Sequence, residues 1–105
     1  LTLPQLKKYD VTQKVIEALA DSESRAILFS IIKKGMTASD LSEKLKIPLS
    51  SVYKKLSDLE ELTLIEVEKW MISDKGRKFK MYKSRISKAD ISIRKPDPTL
   101  NLVPN

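Results

Sequence analysis

At 105 residues, with 41% apolar residues and a formal net charge of +6, the chain has room for one small core and little else. It has no cysteine and no histidine, which excludes disulfides, thiolate metal sites and the commonest proton shuttle. Its two glycines, Gly35 and Gly76, are too few for a phosphate-cradling loop, so a nucleotide enzyme is not expected, and neither is a cofactor or bound metal.

No apolar run reaches membrane-spanning length, and the first residues, "LTLPQLKKYD", lack the charged start and apolar run of a signal peptide. A soluble, cytoplasmic protein is expected. Leu rather than Met at position 1 suggests a processed or trimmed chain.

Residues 1–9 carry Leu1, Leu3, Leu6 and Tyr9, with Pro4 suited to the first turn of a helix, and read as an arm or helix extension. From Asp10, which with Gln13 resembles a capping box, Val11, Val15, Ile16 and Leu19 recur at helical spacing to Ala20. Asp21 or Ser22 can cap a second helix, whose stripe Ile27, Leu28, Ile31 and Ile32 should make it central to the core. Lys33, Lys34 and Gly35 read as its basic, glycine-terminated end. Thr37 and Asp40 form another capping pair, opening a short third helix with Ala38, Leu41 and Leu45 inside. Pro48 disfavours helical geometry at Ile47, so the chain turns there and restarts as a fourth helix on Val52, Leu56 and Leu59.

After Leu62 the period changes. "LIEVEKWMIS" and "KFKMYKSRIS" alternate and are rich in β-branched and aromatic residues, and "DKGR" between them is a turn with Gly76 free to take positive φ. Trp70 is expected to cover the core face of this hairpin, and Glu66 and Glu68 to be exposed strand charges. Ile86, Ile91 and Ile93 extend the second strand or add a further short one. The tail, residues 95–105, with Pro96, Pro98 and Pro104, should be extended and end regular structure. Residues 10–94 thus read as one α+β domain, mainly α with a β-hairpin: three to four helices plus a two- or three-stranded wing.

The charge is local. Residues 1–63 hold 10 Lys+Arg against 9 Asp+Glu, whereas residues 64–95 hold 10 against 4. The densest part, Lys75 to Arg85, includes Lys75, Arg77, Lys78 and Lys80 and has no acid, a footprint that fits either nucleic acid or a lysine-studded edge strand. In a helix-turn-helix the third helix packs across the start of the fourth, whose first turns then project outward with Leu49, Ser50, Ser51, Tyr53, Lys54 and, at one edge, Lys55. Short donors and acceptors at a helix N-terminus favour phosphate and can reach base edges of duplex DNA. Asp58, Glu60 and Glu61 should face away from it. The apolar excess of Val11, Val15 and Leu19, with Leu100, Leu102 and Val103, points to a dimer interface.

Three segments carry a family resemblance: "D-x-x-x-R-x-I-L" at Asp21, Arg25, Ile27 and Leu28; "I-P-x-S-S-V-Y-x-x-L-x-x-L" from Ile47; and "G-R-K-x-K-x-Y" from Gly76. Over roughly residues 10–86 the chain resembles ArsR-like winged helix-turn-helix transcription regulators, especially archaeal ones. The resemblance implies a homodimer pairing through its first helix and terminal segments. It also implies DNA contacts at Ser50, Ser51, Tyr53 and Lys54, and wing contacts at Lys75, Arg77 and Lys78. Many relatives sense metals through cysteine, histidine or carboxylate clusters; lacking the first two, this chain is not expected to do so. Relatives commonly place glycine between recognition helix and wing, where Thr63 stands here, so a different exit geometry is expected. The other function the fold admits is a protein-interaction module, such as a transcription-machinery subunit, working through the same surface.

Overall fold

The computed structural model describes residues 3–93 and 98–105, with side chains from residue 11 onward; the expected roles of Leu1, of the Asp10 cap and of Pro96 lie outside the described residues. Four helices come first: α1 (Leu3–Ala20), α2 (Ser22–Ser30), α3 (Ala38–Leu45) and α4 (Leu49–Glu61). A two-residue strand, β1 (Met36–Thr37), precedes α3, and β2 (Ile65–Ile72), β3 (Lys78–Ser84), β4 (Ile86–Ile93) and β5 (Pro98–Pro104) follow α4. One antiparallel sheet has the order β1-β3-β2, and β4 and β5 form a second.

The "D-x-x-x-R" motif binds α1 to α2 through caps at both sides of their junction. Asp21 Oδ2 accepts from the Ser24 N–H (3.0 Å) and hydroxyl (2.7 Å), closing the first turn of α2. Arg25 Nη1 donates to the carbonyls of Leu19 (2.8 Å) and Ala20 (3.0 Å), two of the orphan acceptors at the end of α1. In α3 the expected capping box is formed in both directions between Thr37 and Asp40.

The core lies where α2 meets α3, α4 and the base of the wing. Ile27, Leu28, Ile31, Leu41 and Val52 have no exposed surface, and Leu56, Leu59, Leu64 and Ile65 have 2% or less. Tyr82 from β3 and Ile86 from β4 close it. Burial pushes the Tyr82 phenol pKa up, with Glu60 adding to the shift, so the ring anchors the wing to the helices as a neutral group. Val15 and Leu19 belong to this same core, at 4% and 6% exposure. They are therefore filled within the chain and are not free to form a dimer surface, whereas Val11 is exposed.

α1 runs without a break from Leu3, through the residues read as an arm or helix extension. Three expectations are corrected. Gly35 does not terminate α2, which ends at Ser30; a Cβ there would meet Glu68 Oε1 at 2.8 Å and the Tyr82 carbonyl at 3.2 Å, so glycine lets the chain pass under the wing. The tail does not end regular structure. Pro98 and Pro104 sit at the two ends of β5, where a missing N–H is tolerated, and Leu100 and Leu102 pair with Ile91 and Ala89 of β4. Asn105 then ties the strand down, its Nδ2 donating to the carbonyls of Ile32 (2.8 Å) and Ser84 (2.9 Å). Finally, Thr63 does not alter the exit from α4. It adopts φ 61°, the left-handed conformation a glycine would take. Its N–H donates to Glu60 O (2.9 Å) and that of Leu64 to Leu59 O (3.0 Å), a Schellman ending with Leu59 and Leu64 both buried.

A β-branched residue in that conformation costs about 1–2 kcal/mol. Thr63→Gly should therefore raise stability by about 0.5–1 kcal/mol after the extra unfolded-state entropy of glycine and loss of the Thr63 hydroxyl bond to Leu62 O. Thermal melts should show a midpoint roughly 3–6 °C higher; an unchanged or lower midpoint would mean that Thr63 is not strained.

Candidate nucleic-acid interface

The turn between α3 and α4 is fixed from both sides. Lys46 takes φ 58°, the Ile47 N–H donates to Ser42 O (3.2 Å), and the Ser42 hydroxyl donates to Ile47 O (2.6 Å), while the Ile47 side chain is buried. Pro48 precedes α4 and offers no side-chain cap, and no acid stands in the first turn. The backbone N–H groups of that turn thus keep their hydrogen-bonding capacity at the positive end of the helix dipole.

Around this helix start Leu49, Ser50, Tyr53 and Lys54 are exposed, with Leu49 at 42% and Tyr53 at 51%. Ser51 is half-buried. Lys54 reaches Asp58 one turn on (3.1 Å), a pair open to solvent on both sides and readily exchanged for another anion. Lys55 differs: its Nζ donates to Asp21 Oδ2 (2.9 Å) and lies 3.7 Å from Glu23. It is turned toward α2, and its placement on the reading face is corrected. A helical projection puts Lys55 at the edge of that face, but its long stem reaches back to an acid 34 residues away in sequence.

The wing tip turns as expected at Gly76 (φ 78°), with the Ser73 N–H donating to Arg77 O (2.8 Å). Lys75, Arg77 and Lys78 are exposed there. Lys80, further back, is half-buried and holds its Nζ 5.4 Å from the centroid of Trp70. Trp70 does not cover the core face as expected; it is 58% exposed, because the core ends at Val67 and Tyr82 while the sheet continues beyond it. Glu66 and Glu68 are strand charges facing Arg85 (3.9 Å) and Lys83 (3.8 Å).

The recognition-helix and wing residues come together only in part. Tyr53, Arg77, Lys78 and Lys80 line one open cleft of about 1530 Å³ between α3, α4 and the wing, and Leu49, Ser50 and Lys54 stand outside it on the adjoining surface. Sequence reasoning missed Lys34, Ser39 and Lys44, which line the same cleft from the other wall. The cleft exceeds the roughly 300–1,000 Å³ of small-molecule pockets. Its cations outnumber Asp40 and Glu43, and Asp40 is engaged in its capping box, so its field favours a polyanion. Among the described residues no cluster of three or more acidic side chains could hold a metal ion, and no helix is long and apolar enough to cross a membrane.

Helices, turn and hairpin define the class, a winged helix-turn-helix. Residues 19–68 match the model of the family described as "Helix-turn-helix domain". The fold is similar to that of NolR from Sinorhizobium fredii, with a TM-score of 0.63 at 20% identity, covering 80% of this chain and 78% of that one. It is similar also to reduced HlyU from Vibrio cholerae, with a TM-score of 0.60 at 17% identity over 79% of this chain and 81% of that one. No curated protein matches the chain significantly in sequence.

The Lys55 ion pair makes a pH prediction. Its hydrogen bond and those from Ser24 hold the Asp21 carboxyl down at about 2, below the usual 3.8, and Asp21 raises Lys55 in return. The stability this contributes is present above pH ~4 and fades as pH falls through ~2. An NMR titration of the Asp21 carboxyl should give a midpoint near 2 in the native chain and closer to 3.8 in Lys55→Met; an ordinary midpoint in the native chain would show the pair absent in solution.

Proposed function

We propose that the chain is a small, non-enzymatic transcription regulator, ArsR-like and of archaeal type, that binds double-stranded DNA sequence-specifically as a cytoplasmic homodimer. The observation that carries the reading is the uncapped, acid-free start of α4, with Ser50, Tyr53 and Lys54 exposed, beside a cleft whose wing wall holds the excess cations. In this reading the first two turns of α4, Leu49 to Lys54, enter the major groove. The Ser50 and Ser51 hydroxyls and Lys54 meet base edges or backbone oxygens, and Leu49 offers apolar contact to a thymine methyl. Lys75, Arg77, Lys78 and Lys80 lie along flanking backbone. Asp58 and Glu61 are exposed on the second half of α4, and Asp58 sits 3.1 Å from Lys54, so duplex binding exchanges that solvent-open pair for a contact between Lys54 and the duplex.

Neutralising about five phosphates sets the slope of log K for duplex DNA against log salt near −5. Lys54→Glu should weaken binding and alter sequence preference, whereas Arg77→Glu should weaken all sequences alike and make the slope shallower by about one. Lys55→Met should leave affinity close to native. Absence of measurable duplex affinity at low salt would sink the reading.

The second copy is assigned to the outer end of the β4–β5 hairpin around Ile91 and Ile93, since Ala89, Leu100 and Leu102 of its apolar face pack against this chain's own core. By their register Ala89, Ile91 and Ile93 share one face with Leu102, Leu100 and Pro98, and Ile93 is 86% exposed. A two-stranded hairpin is marginal alone, and Ile91 and Val11 are also exposed at 41% and 57%. Light scattering at micromolar concentration should give twice the 12.0 kDa chain mass, and Ile93→Asp should halve it; a 12.0 kDa native species would refute the assignment.

A further inference from the structure

We propose that Trp70 is an apolar reader on the wing, entering the minor groove of duplex DNA beside the segment held by α4; this rests on the duplex-binding reading above. On the core-side face of the sheet, beyond the last core pair Val67 and Tyr82, the register places Trp70 opposite Lys80 and Ile72 opposite Lys78. Trp70 is 58% and Ile72 69% exposed, so two large apolar groups lie uncovered by the chain. Lys80 rests its ammonium over the indole, and neither Lys78 nor Lys80 has a carboxylate partner among the described residues.

This pairing selects its occupant. An apolar protein surface covering Trp70 and Ile72 would also bury two ammonium groups without counter-ions, at a cost of several kcal/mol each. A minor groove has the complementary arrangement, with apolar deoxyribose walls and phosphates along both rims, and apolar side chains that enter it lodge at base steps. Trp70 faces the same cleft as Tyr53 of α4, so a backbone strand crossing that cleft presents the neighbouring minor groove to the indole. Steps that unstack easily, pyrimidine followed by purine, accept such a group at least cost. Trp70 thereby adds a sequence preference that α4 does not reach.

Trp70 is the one tryptophan of the chain, so intrinsic fluorescence reports on this position alone. The full chain is titrated at low salt with a dye-labelled duplex, following dye anisotropy for binding, and tryptophan emission with acrylamide quenching for the site. Binding should be accompanied by reduced emission and reduced acrylamide access. Trp70→Ala should bind roughly tenfold more weakly with an unchanged salt slope, and Trp70→Phe should recover most of the loss. Duplexes with a TA step in place of an A-tract beside the site should be preferred by the native chain and not by Trp70→Ala. Thermal melts of both variants should match the native chain, since the indole lies outside the core. Native anisotropy with unchanged emission, unchanged acrylamide access and native affinity in Trp70→Ala overturns the inference and leaves the duplex-binding reading intact. Tighter binding and stronger quenching on single strands overturns the minor-groove assignment, and no anisotropy change at all overturns both.

Discussion

The placement of α4 depends on two residues that accept a left-handed backbone without being glycine. Lys46, at φ 58°, turns the chain out of α3, and Thr63, at φ 61°, turns it out of α4. Each costs about 1–2 kcal/mol. Each is exposed, and each is followed by a buried apolar residue, Ile47 at 5% and Leu64 at 2% exposure. Burying one such side chain contributes about 1.5–3 kcal/mol, which outweighs the backbone cost and makes the two turns over-determined. The helix between them has no conformational choice left: Val52, Leu56 and Leu59 are sealed against the core, and the opposite face is fixed in direction.

The wing is set by a different constraint, close approach. Gly35 lets the segment after α2 pass within reach of the Tyr82 carbonyl, β1 pairs Met36 with Tyr82, and the Ser84 N–H donates to Ile31 O (3.0 Å). Asn105 binds the carbonyls of Ile32 and Ser84, so the residue that follows β5 closes the joint between α2 and the wing. The second hairpin therefore anchors the first at its base. Among the described residues the wing tip has no such ties to the helices, and Lys75, Arg77 and Lys78 stand exposed there, where solvent screens their mutual repulsion.

Local chemistry made most of the fold legible. Asp21, the Thr37 and Asp40 box, Gly76 and the stripes of α2 and α4 each act within four residues of themselves, and a sequence shows that range directly. What it hid were longer reaches. Lys55 finds Asp21 across 34 positions. Val15 and Leu19 find the core of their own chain. Pro98 and Pro104, which read as an end of structure, occupy the termini of a strand that pairs with β4. The exposure of Trp70 is hidden for a related reason: a strand's alternation tells which side a residue takes but not where the core beneath that side stops.

The site divides along the same line. Exposure around the start of α4 follows from its helical period, so Leu49, Ser50, Tyr53 and Lys54 were accessible to sequence reasoning and Lys55 was not. The cleft is a property of assembly, since Lys34 and Lys44 join it from elements that carry no mark of such a role. Under the proposed reading this division has a functional counterpart. One helix and one wing neutralise only a handful of phosphates, and one reading head spans only a few base pairs. A second copy doubles both terms and fixes the half-sites about one helical turn apart. The element assigned to join the copies, β4–β5, is hydrogen-bonded to the base of the wing through Asn105, so the spacing of two reading heads would be set by the same joint that positions each wing.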